Sequence, residues 1–302
     1  MQRQVHNAID AGEGDLVAKR LRERITAEPN NEEARIQLAD HYRKTGAKDL
    51  AIEHLRVASE RFPRSERTIL LLAETLHEQN QAGEAIRHLE SFLNSQSSAS
   101  AAAWLGILRD QQGSWKSGES AHRAALAAAP ENARVRNNLG YNLLQQGRRQ
   151  EAIAELRRAV TQDPKLVAAH NNLAFALARG SQQERREALA EWSLAAGMAS
   201  AHSNLAASLI EQGAYTEARQ QLQLALGLRP DLPQALHNLK LVAELDGRPA
   251  QTGVVPQGAS ASALPPAKKD AGLKAAMKKV WFVVAGVDRK PAGPGQPSAG
   301  SE

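Results

Sequence analysis

Nine histidines and a recurring row of asparagines are the residues of this sequence whose types and spacing could do chemistry. His170 and His202 stand at the same position of two consecutive segments of a repeating pattern, so they are the histidines placed to share a metal ion. A zinc site takes three or four protein ligands, and no carboxylate or third ligand falls at a matching position. A packing or surface role is expected for both, and no metal. Cysteine is absent, which removes thiol nucleophiles, cysteine-ligated zinc and iron–sulfur clusters. No GxGxxG or GxxxxGK(S/T) loop and no GxSxG elbow occurs, so no catalytic residue and no cofactor is expected. The asparagines are the better signal. Asn138, Asn172, Asn204 and Asn238 recur at one position of four successive segments, with Asn137 and Asn171 before the first two. A side-chain amide both donates and accepts hydrogen bonds, as the backbone of an extended polypeptide does. A row of amides therefore suits peptide binding, with Tyr141 and Phe175 flanking it as apolar contacts. The competing reading is a row that only solvates the surface.

The elements that would position these residues repeat. Gly113 and Gly147 are 34 residues apart, as are Pro130 and Pro164. The clearest copy, 133–166, has the skeleton Leu139-Gly140, Leu143, Gly147, Ala152, Leu156, Ala159 and Pro164. Leu139, Leu143 and Leu144 make a stripe at helical spacing. Gly147 stops the first helix and Pro164 ends the second. Gly140 and Ala152 are small where two helices must cross closely. The same frame gives six copies, 32–65, 66–98, 99–132, 133–166, 167–198 and 199–232. A partial copy precedes them in 1–31, with Gly12 and Pro29 in register. A capping helix follows in 233–247. Copy 66–98 has Asn80 in the glycine slot. In copy 167–198 the linker after Leu177 runs two residues longer than the frame, through the basic stretch 179–187, and Trp192 stands where leucine is usual. That copy is read as an irregular joint absorbed by its neighbours, or as a bend that reshapes the surface or presents a basic loop.

The skeleton resembles the tetratricopeptide repeat. The resemblance covers residues 1–247. It implies an all-α, right-handed superhelical solenoid of antiparallel helix hairpins, with the first helix of each pair lining a concave groove. One branch of that family holds the backbone of an extended peptide on an asparagine ladder. Another clamps a C-terminal carboxylate with lysine at the fifth position of the first helix. Here the fifth positions hold Ile36, Leu70, Ala103, Asn137, Asn171, Ser203 and His237, so a receptor of the second type is not expected. Arg43, Lys44 and His77 are the alternative groove residues in the N-terminal copies. The stretches VRNNLGYNLLQQGRRQEAIAEL, HNNLAFALA and HSNLAASLIEQGAYTEAR also resemble the repeat component of bacterial Flp-type (tight-adherence) pilus assembly.

Charge divides the chain. The formal net charge is +5, and residues 248–302, with eight basic and three acidic side chains, carry all of it. The neutral body argues against a nucleic-acid footprint, which needs clustered Lys and Arg. The basic stretch holds seven of the 13 prolines, and its composition predicts a disordered tail. Within it, 273–287 places Leu273, Met277, Val280, Trp281 and Val284 on one helical stripe. That stripe reads as a membrane-surface or partner-docking helix, or as a terminal helix that folds back on the array.

No apolar run reaches 18 residues, and MQRQVHNAID has no apolar h-region. The visible sequence therefore predicts a cytoplasmic location. The pilus resemblance implies a periplasmic or outer-membrane-associated one, with a signal segment preceding Met1. The function expected is a non-catalytic scaffold that binds a protein or extended peptide segment in the groove. The alternative is a substrate-selecting accessory subunit of an enzyme such as a peptide-modifying transferase. Nothing in the sequence predicts an oligomeric state.

Overall fold

The computed structural model describes residues 15–250. Gly12 of the partial first copy, most of the basic tail and the whole 273–287 stripe lie outside the described residues. The chain divides into two compact units, Met1–Pro130 and Glu131–Glu302. Among the described residues every regular element is a helix. The N-terminal unit holds α1 (Leu16–Ala27), α2 (Glu32–Lys44), α3 (Lys48–Arg61), α4 (Glu66–Glu78), α5 (Ala82–Ser95), α6 (Ala99–Gln111) and α7 (Trp115–Ala128). The C-terminal unit holds α8 (Ala133–Gln145), α9 (Arg149–Gln162), α10 (Val167–Leu177), α11 (Gln182–Ala196), α12 (Met198–Glu211), α13 (Tyr215–Leu228) and α14 (Pro233–Asp246). Each unit is a stack of antiparallel helix hairpins, as the repeats imply.

Local chemistry fixes where these helices begin and end. Four first helices open on a side chain that accepts a hydrogen bond from the third residue of the helix. Asn31 caps Ala34 (2.9 Å), Ser65 caps Thr68 (3.1 Å), Ser98 caps Ala101 (3.0 Å) and Asn132 caps Val135 (3.2 Å). Each satisfies an N–H that the helix itself leaves unpaired, worth about 1 kcal/mol. The hairpin turns close through left-handed backbone. At Gly147 φ is 75°, and the next N–H, of Arg148, reaches back to the Leu143 carbonyl at 2.9 Å. Asn80 takes the same slot in copy 66–98 at φ 59°, which asparagine tolerates better than other side chains.

Packing explains the small residues. A Cβ placed on Gly140 of α8 would lie 2.5 Å from Cγ of Leu156 on α9. Ala152 and Ala218 are fully buried at the small slot of the second helices. Leu38, Leu55, Leu72, Leu89, Leu139, Leu156, Leu173 and Leu222 are buried to 1 % exposure or less. Buried apolar residues of consecutive hairpins join into one cluster across the N-terminal unit, from Ala18 to Leu108. Thus each hairpin supplies part of its neighbour's core.

Copy 167–198 departs from the frame, but not in the way expected. The linker is not simply lengthened. Helix α10 has 11 residues where α8 has 13 and α12 has 14, and Ala178, Arg179, Gly180 and Ser181 form the turn to α11. The left-handed residue stands instead at Gly197, between α11 and α12. The turn is held by side chains. Ser181 and Glu184 form a reciprocal capping box at the start of α11. Arg149 of α9 donates to the Ala176 carbonyl and to Glu184, both at 2.7 Å. Trp192 fills the leucine slot completely buried, with its indole N–H lacking a partner. The first helices α8 and α10 pack side by side, and so do α12 and α14, whereas α10 and α12 meet only marginally.

No helix among the described residues is long and apolar enough to cross a membrane. Replacing Ala152 with leucine should overpack the α8–α9 crossing and cost about 1–3 kcal/mol. A thermal melt of Ala152→Leu reads this as a lowered midpoint. An unchanged midpoint would mean that this crossing has room to spare.

Candidate functional site

The residues predicted for peptide binding all lie in the C-terminal unit, on the first helices α8, α10, α12 and α14. The structure joins only part of the row. Asn172 of α10 donates through Nδ2 to Oδ1 of Asn137 on α8 at 2.9 Å, and Asn137 donates to Oδ1 of Asn138 at 3.4 Å. The bond between the helices runs from the sixth position of one copy to the fifth position of the copy before it. The equivalent later pairs, Asn204 with Asn171 and Asn238 with Ser203, are not among the hydrogen bonds of the described residues. Both amide atoms of Asn238 and the Ser203 hydroxyl are buried without a partner.

Solvation of the row also differs from expectation. A row facing solvent was expected, yet Asn138, Asn204 and Asn238 are 7 %, 4 % and 0 % exposed, and only Asn172 is half-buried. The physical reason is visible in the one complete link. There the Asn172 side chain is turned toward the neighbouring first helix, so it ties two copies together as much as it presents itself. Among the described residues the link is made once, between α8 and α10, and is absent both where the helices part, between α10 and α12, and where they pack, between α12 and α14.

Tyr141 and Phe175 are both half-buried. The guanidinium of Arg179, in the turn after α10, lies 4.9 Å from the centroid of the Phe175 ring. The same group pairs with Glu211, at the end of α12, at 2.6 Å. Burial pushes the Glu211 carboxyl above its ordinary value, and Arg179 pulls it only partly back. This arrangement of cation, ring and desolvated carboxyl spans the seam between α10 and α12. The sequence pointed to it only as a basic stretch.

The histidines are engaged in packing. Nε2 of His170 meets the Pro164 carbonyl at 2.9 Å and Nδ1 meets Glu191 of α11 at 2.5 Å. A carbonyl oxygen only accepts, so Nε2 is the donor to Pro164. His202 meets Gln221 of α13 at 2.7 Å. Each therefore ties a first helix to the second helix of its own copy. Among the described residues no group of three or more His, Asp or Glu could hold a metal ion.

In the N-terminal unit, Arg43 is paired with Glu74 at 2.9 Å and Lys44 with Asp40 at 2.6 Å, while His77 lies 5.9 Å from the Trp104 ring. Sequence reasoning missed His122, fully buried at the slot where other second helices carry leucine, with Nε2 2.9 Å from Asp110. Its signal was there: Gly106 stands at the slot of Gly140, and a Cβ on it would meet the His122 ring at 2.5 Å.

Two family models match the sequence, the tetratricopeptide repeat over residues 105–167 and subunit 3 of the anaphase-promoting complex (cyclosome) over residues 1–92. The chain is a tetratricopeptide-repeat protein. No curated protein matches it by sequence. Among solved structures, the APC/C hetero-tetramer Cut9–Hcn1 is 16% identical, with 77% of this chain and 46% of that one covered at a TM-score of 0.54. The structure from the functional characterization of Pseudomonas aeruginosa pilF is 20% identical, with 70% of this chain and 97% of that one covered at a TM-score of 0.54. MamA is 23% identical over 52% of this chain and 92% of its own, at a TM-score of 0.48. At these identities the likeness is one of fold.

The buried amides give opposite expectations at two sites of this tetratricopeptide-repeat protein. Asn172→Ala should destabilise by about 1–3 kcal/mol, because it strands the buried Oδ1 of Asn137. Asn238→Leu should stabilise, because it removes two buried polar atoms that have no partner. Denaturant melts of the two variants check both signs.

Proposed function

We propose that this chain is a non-catalytic scaffold whose first-helix face in the C-terminal unit binds an extended segment of another protein. The tetratricopeptide fold supports a role in protein–protein interaction. The observation that carries the finer reading is the grouping of Asn137, Asn138 and Asn172 beside the rings of Tyr141 and Phe175 on the two closely packed helices α8 and α10. Amides there meet backbone donors and acceptors of a bound chain, and the rings supply apolar contact. Asn204 and Asn238 take a smaller share, because they stand on α12 and α14, apart from the linked pair of helices. Of the cellular settings, Flp-type pilus assembly is the one to test first, on the repeat stretches that resemble its repeat component.

The test starts from a pull-down with the full chain, identified by mass spectrometry, followed by titration of the captured partner's segments. The double variant Asn138→Ala, Asn172→Ala should weaken binding by roughly fivefold to 150-fold if two hydrogen bonds of about 0.5–1.5 kcal/mol each are lost. A melt of the same variant separates lost binding from lost structure. Undiminished binding by a folded double variant would remove the amides from the site. Capture of pilus components would give the setting, and capture of a transferase would favour the accessory-subunit reading.

A further inference from the structure

The seam between α10 and α12 is the one place in the C-terminal unit where successive first helices do not pack closely. The amide link that joins α8 to α10 has no counterpart there. Two side chains bridge the seam: Gln212, which donates through Nε2 to the Ala178 carbonyl at 3.4 Å, and Arg179, whose side chain is 48% exposed, reaching Glu211, whose side chain is 17% exposed. The cation is held from beneath by the face of Phe175, an orientation that ring quadrupoles favour. A guanidinium that is half open to solvent, fixed on a ring and shared with a withdrawn carboxylate is built to change partners.

We propose that Arg179 receives an acidic side chain of the bound protein segment, and that Glu211 is an internal competitor which holds the cation until that carboxylate displaces it. This rests on the reading of the first-helix face as a peptide site. It adds the chemistry of the partner: an extended segment with an Asp or Glu placed over the α10–α12 seam. Arginine suits the exchange because its planar fork offers several donors to a carboxylate.

The exchange has a protonic consequence. Burial raises the Glu211 carboxyl, and among the described residues Arg179 is the charged group that draws it back down. The titratable groups of α14 are His237, Lys240 and Glu244, all exposed, and Asp246, which Arg219 of α13 holds at 2.8 Å. Near the start of α13, Glu217 faces Arg185. When a partner carboxylate takes Arg179, Glu211 loses its cation, rises further and takes up a proton. A group that binds a proton on complex formation makes binding tighten as pH falls. The window lies above the ordinary carboxylate range, where the partner's own Asp or Glu stays ionised.

The experiment uses the full chain and synthetic peptides of about 12 residues in matched pairs, each Asp/Glu peptide beside its Asn/Gln counterpart, read by calorimetry in buffers of different ionisation enthalpy. Wild type should prefer the acidic member by about tenfold or more, with proton uptake and binding that tightens as pH falls toward the ordinary carboxylate range. Glu211→Gln should tighten the acidic peptide, leave the amide peptide unchanged and abolish the proton uptake. Arg179→Gln should level each pair, and Arg179→Lys, which keeps the charge, should retain part of the preference. Equal binding of both members by wild type overturns the proposal and leaves the peptide site standing. A preference that survives Arg179→Gln in a chain with an unchanged melt overturns it as well. Binding of no peptide of either kind overturns the proposal together with the peptide site.

Discussion

The contact on which the rest of each unit depends is the close crossing of the two helices in a hairpin. It brings a residue without a side chain, such as Gly140, against a full leucine, Leu156. Neither helix has enough apolar surface to be stable alone, since isolated helices of 11 to 15 residues are marginal in water. The crossing buries one stripe of each helix, and the stripes left over are covered by the next hairpin. Everything else in the chain is arranged so that this contact can recur: a capping side chain where the first helix opens, a left-handed residue at the turn, and alanine at the second small slot.

Charged side chains then hold successive copies in register. Arg56 of α3 meets Glu84 of α5 twice at 2.8 Å, and Arg157 of α9 meets Glu187 of α11 at 2.8 Å. Exposed pairs of this kind contribute little energy each, about 0–1 kcal/mol. Their use is geometric, since the partners lie 28 and 30 residues apart and match only when the hairpins stack in order. Arg219 closes the described residues by a different route. It grips Asp246, which is 3 % exposed, and also accepts the role of last donor to the carbonyls of Arg248 and Pro249. The Asp246 carboxyl is held below its ordinary range: burial opposes this, and Arg219 with the backbone N–H of Arg248 outweighs it.

Most of this was legible in the sequence because each rule is local and repeats. Gly147, Leu156 and Ala152 declare their jobs through spacing alone, and Asn80 declares itself as the turn residue by standing where glycine stands elsewhere. The asparagine row was legible as a row, but not in its solvation. Which way a sixth-position amide turns depends on the distance to the next first helix, and that distance follows from the whole hairpin between them. The joint at 167–198 was legible as irregular. Its repair was not, because the capping box of Ser181 with Glu184 and the reach of Arg149 across from α9 join residues that no frame pairs. His122 was hidden for a simpler reason: a histidine in a leucine slot looks like a polar surface residue until Gly106 is found opposite it.

Departures from a repeat are informative because a repeat has a built-in standard of comparison. In the C-terminal unit α8 and α10 are joined by an amide link, and α12 packs beside α14. Copy 167–198 gives up two residues of its first helix and moves its left-handed residue to the far end of α11. Part of the amide link goes too, and a desolvated carboxyl stands at the seam. Each of these costs stability, and the neighbouring copies have to supply the difference. Local rules that are broken together, in one place, on the face proposed for binding, are better explained by a use for that place than by drift. With the seam left open, one ion pair and the Gln212 amide on the Ala178 carbonyl cross it, and Arg179 is the residue there with solvent on one side and an aromatic ring on the other.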